Sequence, residues 1–476
     1  IRMLIISNKR NGMKRIVLSA MTLGLLSSVN VQAAEDLSTM FSEGKASGQI
    51  RAFSISRSVE DTRISKQDYT RDANAIGGHL KFETADFKGL SFGTAFYTTN
   101  GLFNDSDKTN YNKVDPTLLG PDNEAYSILG EAYVQYKIGN TVFKMGRQKL
   151  NTPLAGSDDA RMLPNLFEAY LMINSDIPNT TLIAGHVTKF AQGTFGRAYG
   201  SGGLLGATAG YSAVDALNQV GDFENMGGYA VGKNTDGVSV VAASYKNGAI
   251  KAQVWDYYAH DILNAIYADA SVSWTCLLSD AVKPFAAVQL IKEDDIGDSL
   301  VKNLDPSLAI VGNGKIDSTY YAAKFGANVG NFTAYVAYSA TSENSSTEAV
   351  YTNAVITPWG GMPAFTQCMV TRHMFLAGTK ATKLAASYNF KDLGLKAVGY
   401  YATFDMDNNN GYTEDDASEI GFDFIYNMKA VKGLQLRLRG NFADDFYAKK
   451  TDANPTLNGA VSWSEYRFIA NYNFSF

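Results

Sequence analysis

From Ala46 to Phe476 the chain is a succession of short runs in which apolar and polar side chains alternate. In Trp463 to Phe476 one set reads Tyr466, Phe468, Ala470, Tyr472, Phe474, Phe476; the interleaved set reads Glu465, Arg467, Ile469, Asn471, Asn473, Ser475. In Leu434 to Phe442 the sets are Leu434, Leu436, Leu438, Phe442 and Gln435, Arg437, Arg439, Asn441. Successive side chains of a strand point to opposite faces, so each run predicts a strand with one apolar and one polar face. Tight turns of Gly, Asn, Asp or Pro type join some runs, at 86–89, 139–140, 177–180, 246–248, 278–281, 330–331, 391–394 and 431–433. Between them lie long polar connections at 58–74, 100–124, 150–166, 191–236, 293–316, 343–379, 405–417 and 444–462, with one very short exception near His260. Eight tight turns make eight hairpins. The first strand (Ala46 to Arg57) and the last then pair with each other, which predicts about eighteen strands.

A soluble sandwich also alternates, so the pattern alone does not choose an environment. Two observations do. The apolar faces are framed by Tyr and Phe near strand ends, as in interfacial girdles, and the chain lacks the Cys, Trp and Pro framework of a secreted sandwich. Hydrocarbon cannot hydrogen-bond an exposed N–H or C=O, so a sheet in a bilayer must close on itself. The expected fold is all-β: a transmembrane antiparallel β-barrel with short periplasmic turns and long external loops. At about eighteen strands such a barrel leaves an aqueous bore.

The N-terminus supports export. Lys14 and Arg15 precede the apolar run Ile16 to Leu26, and Val31-Gln32-Ala33 is a small-residue cleavage site. The reading is a signal peptide starting at Met13 and removed after Ala33, with the residues before Met13 set aside. Residues 34–476 then form a single domain with no linker or charge block. Pro is scarce at 10, whereas Gly reaches 43, Tyr 27 and Phe 26, a composition suited to many strands and tight turns. Residues 1–33 hold five basic side chains and no acidic ones, so their removal takes the formal charge from −5 to −10. That charge argues against nucleic acid as a partner.

The inward sets of the strands carry basic residues: Arg51, Lys81, Lys137, Arg437, Arg439 and Arg467, with Lys324 and Lys383 in the same pattern. Arg147 joins them although its strand, Thr141 to Leu150, alternates poorly. The first strand, the last and the one before it are neighbours in a closed barrel, which puts Arg51, Arg437, Arg439 and Arg467 on one wall. Guanidinium groups lining a low-dielectric bore would guide anions and bind carboxylates in bidentate fashion. The competing reading is plain wall charge, paired with Glu465, Asp423 and Glu419.

Gly146-Arg147-Gln148, Thr152-Pro153, Asp158-Asp159, Arg161, Leu163-Pro164 and the aromatic strand Phe167-Glu168-Ala169-Tyr170 follow one another after the fifth strand. Together with the opening Phe41 to Phe53 and the C-terminus, this stretch resembles the OprD-type porins, substrate-specific outer-membrane channels. The resemblance implies an eighteen-stranded barrel, either monomeric or weakly trimeric, with loops 150–166 and 343–379 folded inward. It implies an arginine ladder and an eyelet near Asp158, Asp159 and Arg161. Loop 343–379 adds the Gly/Pro/aromatic stretch Thr357 to Phe365 and the pair Arg372-His373, expected to point into the lumen. The aromatic ending at Phe476 resembles the terminal signal read by the barrel assembly machinery.

The function expected is a Gram-negative outer-membrane porin passing small polar solutes, selective for anionic, carboxylate-bearing ones such as amino acids or organic acids. Outer-membrane lipid and lipopolysaccharide are its expected surroundings. The alternatives are a general porin with cation preference and, more remotely, a barrel hydrolase built on His260-Asp261, for which the sequence assigns no serine. No enzymatic role, cofactor or metal is expected. His79, His186, His260 and His373 have no ligand spacing, and Asp405, Asp407, Asn409 and Gly411 miss the EF-hand template by one position. Cys276, read in a strand, and Cys368, read in a loop, are far apart in sequence.

Overall fold

A computed structural model describes residues 34–63, 66–104, 113–120, 123–195, 222–227, 234–298, 315–449 and 458–476; the expected signal peptide lies outside them. Eighteen strands form one closed antiparallel sheet: β1 (Lys45–Asp61), β2 (Tyr69–Glu83), β3 (Leu90–Gly101), β4 (Tyr126–Ile138), β5 (Thr141–Gln148), β6 (Leu166–Asn174), β7 (Thr180–Ala191), β8 (Val238–Asn247), β9 (Ile250–Ala259), β10 (Leu263–Ser273), β11 (Val282–Asp295), β12 (Asp317–Val329), β13 (Phe332–Thr341), β14 (Lys380–Phe390), β15 (Leu395–Asp405), β16 (Ala417–Asn427), β17 (Leu434–Lys449) and β18 (Gly459–Ser475). Each strand pairs with its chain neighbour. β1 also pairs with β18, from Ser47↔Ser475 to Asp61↔Val461, so the sheet has no edge. A two-residue strand, Glu224–Asn225, pairs with the end of β7.

The alternation sorts the side chains as hydrocarbon requires. Ile50, Leu80, Phe96, Phe325, Leu384 and Phe468 are among the outward residues left exposed to the membrane. No helix among the described residues is long and apolar enough to cross a membrane, and the strands do the crossing. The turns 139–140 and 330–331 connect their strands with two residues, and Gly139 and Gly330 supply the left-handed backbone (φ 57° and 60°) that a tight hairpin needs. On this side a short helix, α1 (Leu37–Ser42), is capped by Asp36, and its Met40 carbonyl accepts from Ala85 N–H at 2.9 Å.

β1 and β18 run further than the sequence pattern indicated. Above the apolar band the outward face turns polar, as in Ser58↔Ser464 and Glu60↔Ser462, while the inward face keeps Val59↔Trp463, so the apolar-out pattern is lost although the backbone pairing continues. The first external loop is correspondingly short, 62–68. Cys276 corrects another expectation: it lies in the turn between β10 and β11, not in a strand, while Cys368 is buried in a loop, and both thiols are free.

The inward faces are less polar than expected. Phe167, Tyr257, Tyr267 and Tyr320 point inward and are buried together with Trp359 and Phe375 of an external loop. Loops that fold into the bore supply the apolar cover these residues need.

Candidate functional site

Two external connections, L3 (149–165) and L7 (342–379), cross the bore and meet there. Gly156 N–H of L3 donates to Trp359 O at 3.0 Å, and Asn165 Nδ2 donates to Gly156 O at 3.0 Å. L3 also touches opposite walls: Leu154 N–H reaches Tyr257 Oη of β9 at 3.3 Å, and Asp159 pairs with Arg51 of β1 at 2.7 Å. L7 is pinned by polar side chains that point inward from the barrel. Glu293 of β11 accepts from Ile356 N–H at 2.7 Å. Gln289 takes Phe365 N–H at 3.3 Å and donates to Pro363 O at 2.8 Å. Glu419 of β16 accepts from Met369 N–H at 3.0 Å, Thr371 N–H at 2.7 Å and the Tyr400 hydroxyl. These contacts satisfy loop backbone that would otherwise be buried unpaired.

Between the loops lies an opening of about 310 Å³. Thr152, Pro153 and Asp158 line it from L3, and Gly361, Gln367 and Arg372 from L7. Arg372 reaches Asp158 at 3.1 Å, with its guanidinium 4.8 Å from the Phe195 ring. On the periplasmic side a larger cavity of about 870 Å³ opens against β8 to β12, lined in part by Gln253, Asp269, Lys324 and Phe365. The Lys324 amine stands 4.1 Å from the Phe365 ring centre.

The basic wall of β1, β2, β17 and β18 is linked by ion pairs. Glu465 binds Arg57 and Arg467, and takes Arg161 Nη2 of L3 at 3.2 Å; all four are sealed from solvent. Asp115, in the second external loop, forms ion pairs with Arg71 at 3.2 Å and Arg57 at 3.9 Å. Asp423 of β16 holds Arg437 in bidentate contact and lies 3.3 Å from Arg439. With Arg51–Asp159, these linked groups comprise seven guanidiniums against four carboxylates. The excess positive charge is fixed behind the lumen surface, and its field reaches the bore even where the groups do not. Burial pushes the Asp159 carboxyl up, but Arg51 and Lys149 outweigh it and hold the group below the ordinary range. Burial likewise raises Asp115, and Arg57, Arg71 and Arg161 bring it below that range.

The structure disperses the residues singled out from sequence. Asp158 and Arg372 face each other at the opening. Asp159 and Arg51 stand beside it, and Arg437 keeps a partly exposed edge. Arg161 and Arg467 are buried inside the wall. His373 does not line the bore. It is buried against Phe404, Tyr412 and Phe446, and its Nε2 hydrogen-bonds Phe446 O at 2.6 Å. Lys81 binds Glu131 and Glu83, both at 3.2 Å, and Lys383 binds the Gln367 carbonyl. Lys137 lies exposed beside the periplasmic turn 139–140, away from the loops. Arg147 is a correction. It pairs in register with Ala132 and Glu168 on the outward face, because Gln148, not Arg147, shares the inward parity of Phe167. Arg57, Arg71 and Asp115 were missed; Arg57 was findable, since it shares the alternation of Arg51 on β1. Gln289 and Glu293 were missed too: the sequence reading put Glu293 in the connection 293–316, and no sequence signal marks either residue as a loop anchor.

A family model described as "outer membrane porin, OprD family" matches residues 39–476. No curated protein sequence matches the chain. Solved structures with the same fold include three Pseudomonas aeruginosa proteins. OpdK with vanillate has a TM-score of 0.66 at 16% identity, covering 92% of this chain and all of that one. OccK9 (OpdG) has 0.68 at 18%, with the same coverage. OccK2 (OpdF) with glucuronate has 0.63 at 17%, covering 92% and 99%.

Proposed function

Since this chain belongs to the OprD family of outer-membrane porins, we propose that it is a selective channel for small carboxylate-bearing solutes, which cross between L3 and L7. The family and fold make it an outer-membrane channel for small solutes; the selectivity is our reading. The observation that carries it is the excess of seven guanidiniums over four carboxylates on one wall beside the opening. A fixed positive field raises the local anion concentration, and Arg437 and Lys324 offer donors at the surface of the bore. Vanillate and glucuronate, present in two structures of similar fold, are both carboxylates, which supports the class without naming the solute. Asp158 and Arg372 bound the passage and limit solute width. The reading uses no catalytic residue.

One observation favours the second reading, a general porin with cation preference. With the expected signal peptide 1–33 removed the formal charge is −10, and most wall arginines already have carboxylate partners. Planar bilayers separate the two. The selective reading expects an anion-side reversal potential in a salt gradient and block by benzoate or glucuronate at the wild-type channel. It also expects both effects to weaken in the double variant Arg437→Gln, Arg439→Gln. Cation selectivity with no carboxylate block would establish the second reading instead.

A further inference from the structure

The outward face of β5, β6 and β7 carries a charge cluster at its external end, above the apolar belt. Arg147, Glu168 and Lys189 are adjacent across three strands, each within three residues of the external strand end. Below them the same face continues with Met145, Tyr170 and Met172, all exposed to the membrane. The charges therefore sit at the level where acyl chains give way to headgroups. There a lipid-facing Arg or Lys costs little, whereas at the midplane it is strongly destabilising.

The arrangement is built. A bulge at Thr188 of β7 faces the step from Glu168 to Ala169, and Thr188 Oγ1 donates to the Glu168 carboxylate at 3.1 Å. The Arg147 guanidinium stacks 4.3 Å from the Phe223 ring centre. Arg147 and Lys189 stand 4.0 Å and 3.9 Å from that one carboxylate, beyond hydrogen-bond length. Among the described residues neither cation has a closer acidic partner. Two cations share one anion, so the cluster has a net positive charge and unspent donors.

The neighbouring polar group on this face is different. His186 Nε2 lies 2.8 Å from Asp236 O, a carbonyl that can only accept, so Nε2 carries a proton. In the neutral ring Nδ1 then accepts from Ser239 Oγ at 3.1 Å, and Ser239 accepts from His260 Nε2 at 2.9 Å. That serine is the one the sequence could not assign to His260, but the line is closed on itself: these groups satisfy one another.

We propose that Arg147 and Lys189 form a binding site for a phosphate of the outer-leaflet glycolipid, the lipid A part of lipopolysaccharide. The chemistry fits: a phosphate at the acyl–headgroup boundary meets a guanidinium and an ammonium group, while Met145, Met172 and Tyr170 lie against the acyl chains. Glu168 is a competitor for both cations, which makes a distinctive expectation. Its neutralisation strengthens the site.

The test is native mass spectrometry of the full-length barrel in detergent, titrated with Kdo2-lipid A. The double variant Arg147→Gln, Lys189→Gln is expected to bind at least fivefold more weakly than wild type, and Glu168→Gln at least twofold more tightly. Lys292→Gln is the control, because Lys292 already pairs with Asp294 and Asp317 at 2.8 Å and 2.6 Å on another part of the rim; it should bind as wild type does. Unchanged single-channel conductance verifies that each variant is folded. Wild-type affinity in the double variant, or no gain in Glu168→Gln, overturns the proposal. Equal binding of phosphatidylglycerol overturns the assignment to the glycolipid.

Discussion

Asp158 and Arg372 lie 214 residues apart in sequence, and their side chains meet at 3.1 Å across the bore, joining the two loops that narrow it. The pair is a latch more than a stability element. L7 keeps its other attachments at Glu293, Gln289 and Glu419 when the latch is cut. Asp158→Asn or Arg372→Ala should therefore raise single-channel conductance by about half or more, with the barrel intact on heat-modifiability gels. Conductance equal to wild type in both variants would show that the passage lies elsewhere.

Glu465 should behave differently, because it is a hub for three guanidinium groups and is fully buried with them. Glu465→Gln removes the charge and leaves Arg57, Arg161 and Arg467 facing one another. Removing one side of a buried ion cluster costs about 3–5 kcal/mol. The expected outcome is a lower unfolding temperature on heat-modifiability gels, together with loss of the L3 position read through altered conductance. Lys292→Gln, at an exposed pair, is expected to leave the unfolding temperature where it was.

The barrel was legible because hydrocarbon imposes it on every strand. The polar set of β18, Glu465 to Ser475, faces in, and its partners Tyr466, Phe468 and Tyr472 face the membrane as the alternation states. Legibility ended where loops turn inward. Tyr257 and Tyr258 are adjacent, one buried against L3 and one exposed to lipid, so the run shows no periodicity to read. Arg147 was misplaced for a related reason. Its strand is short, Val142 and Lys144 both face in, and Gly146 contributes no side chain to mark the face. The ladder was visible as a column of arginines. Its pairing with Glu465 and Asp423 was also within reach, since Arg467 lies 2 and Arg437 14 positions from those carboxylates. What no local pattern carries is the wider network, in which Glu465 also takes Arg57 and Arg161 from 408 and 304 positions away.

His373 links L7 to β15 and β17, and burial pulls its imidazole down from 6.5 to about 4, opposed by the hydrogen bond to Phe446 O. Above about pH 6.5 the ring is neutral in both packed and released loop, so the full packing energy is present. Between about 6.5 and 4 the released loop takes a proton that the packed ring refuses, and stability drains away, by about 3 kcal/mol at the acid end. Single-channel recordings should show loop-driven current noise increasing from pH 7 to pH 4.5. His373→Phe, which keeps an aromatic in the cage of Phe404, Tyr412 and Phe446, should remove that increase. Identical pH dependence in the variant would mean that another group opens the loop.

The close approach of L3 and L7 makes Gly361 the most sensitive small residue at the opening. A Cβ built on it would overlap the Pro153 carbonyl oxygen and the Leu154 backbone, which are main-chain atoms with no rotamer to yield. Gly361→Ala must therefore push the two loops apart or tilt one of them. The barrel wall does not depend on this contact, since strand pairing closes without it. We expect an unchanged unfolding temperature and a conductance that differs from wild type, with weaker block by any carboxylate that wild type retains. Gly156→Ala is the milder comparison: its Cβ meets Gly360 O at 3.2 Å and Gly361 Cα at 3.3 Å, distances that a small shift relieves. A larger change in Gly156→Ala than in Gly361→Ala would contradict the backbone contact as the element that sets the spacing of the loops.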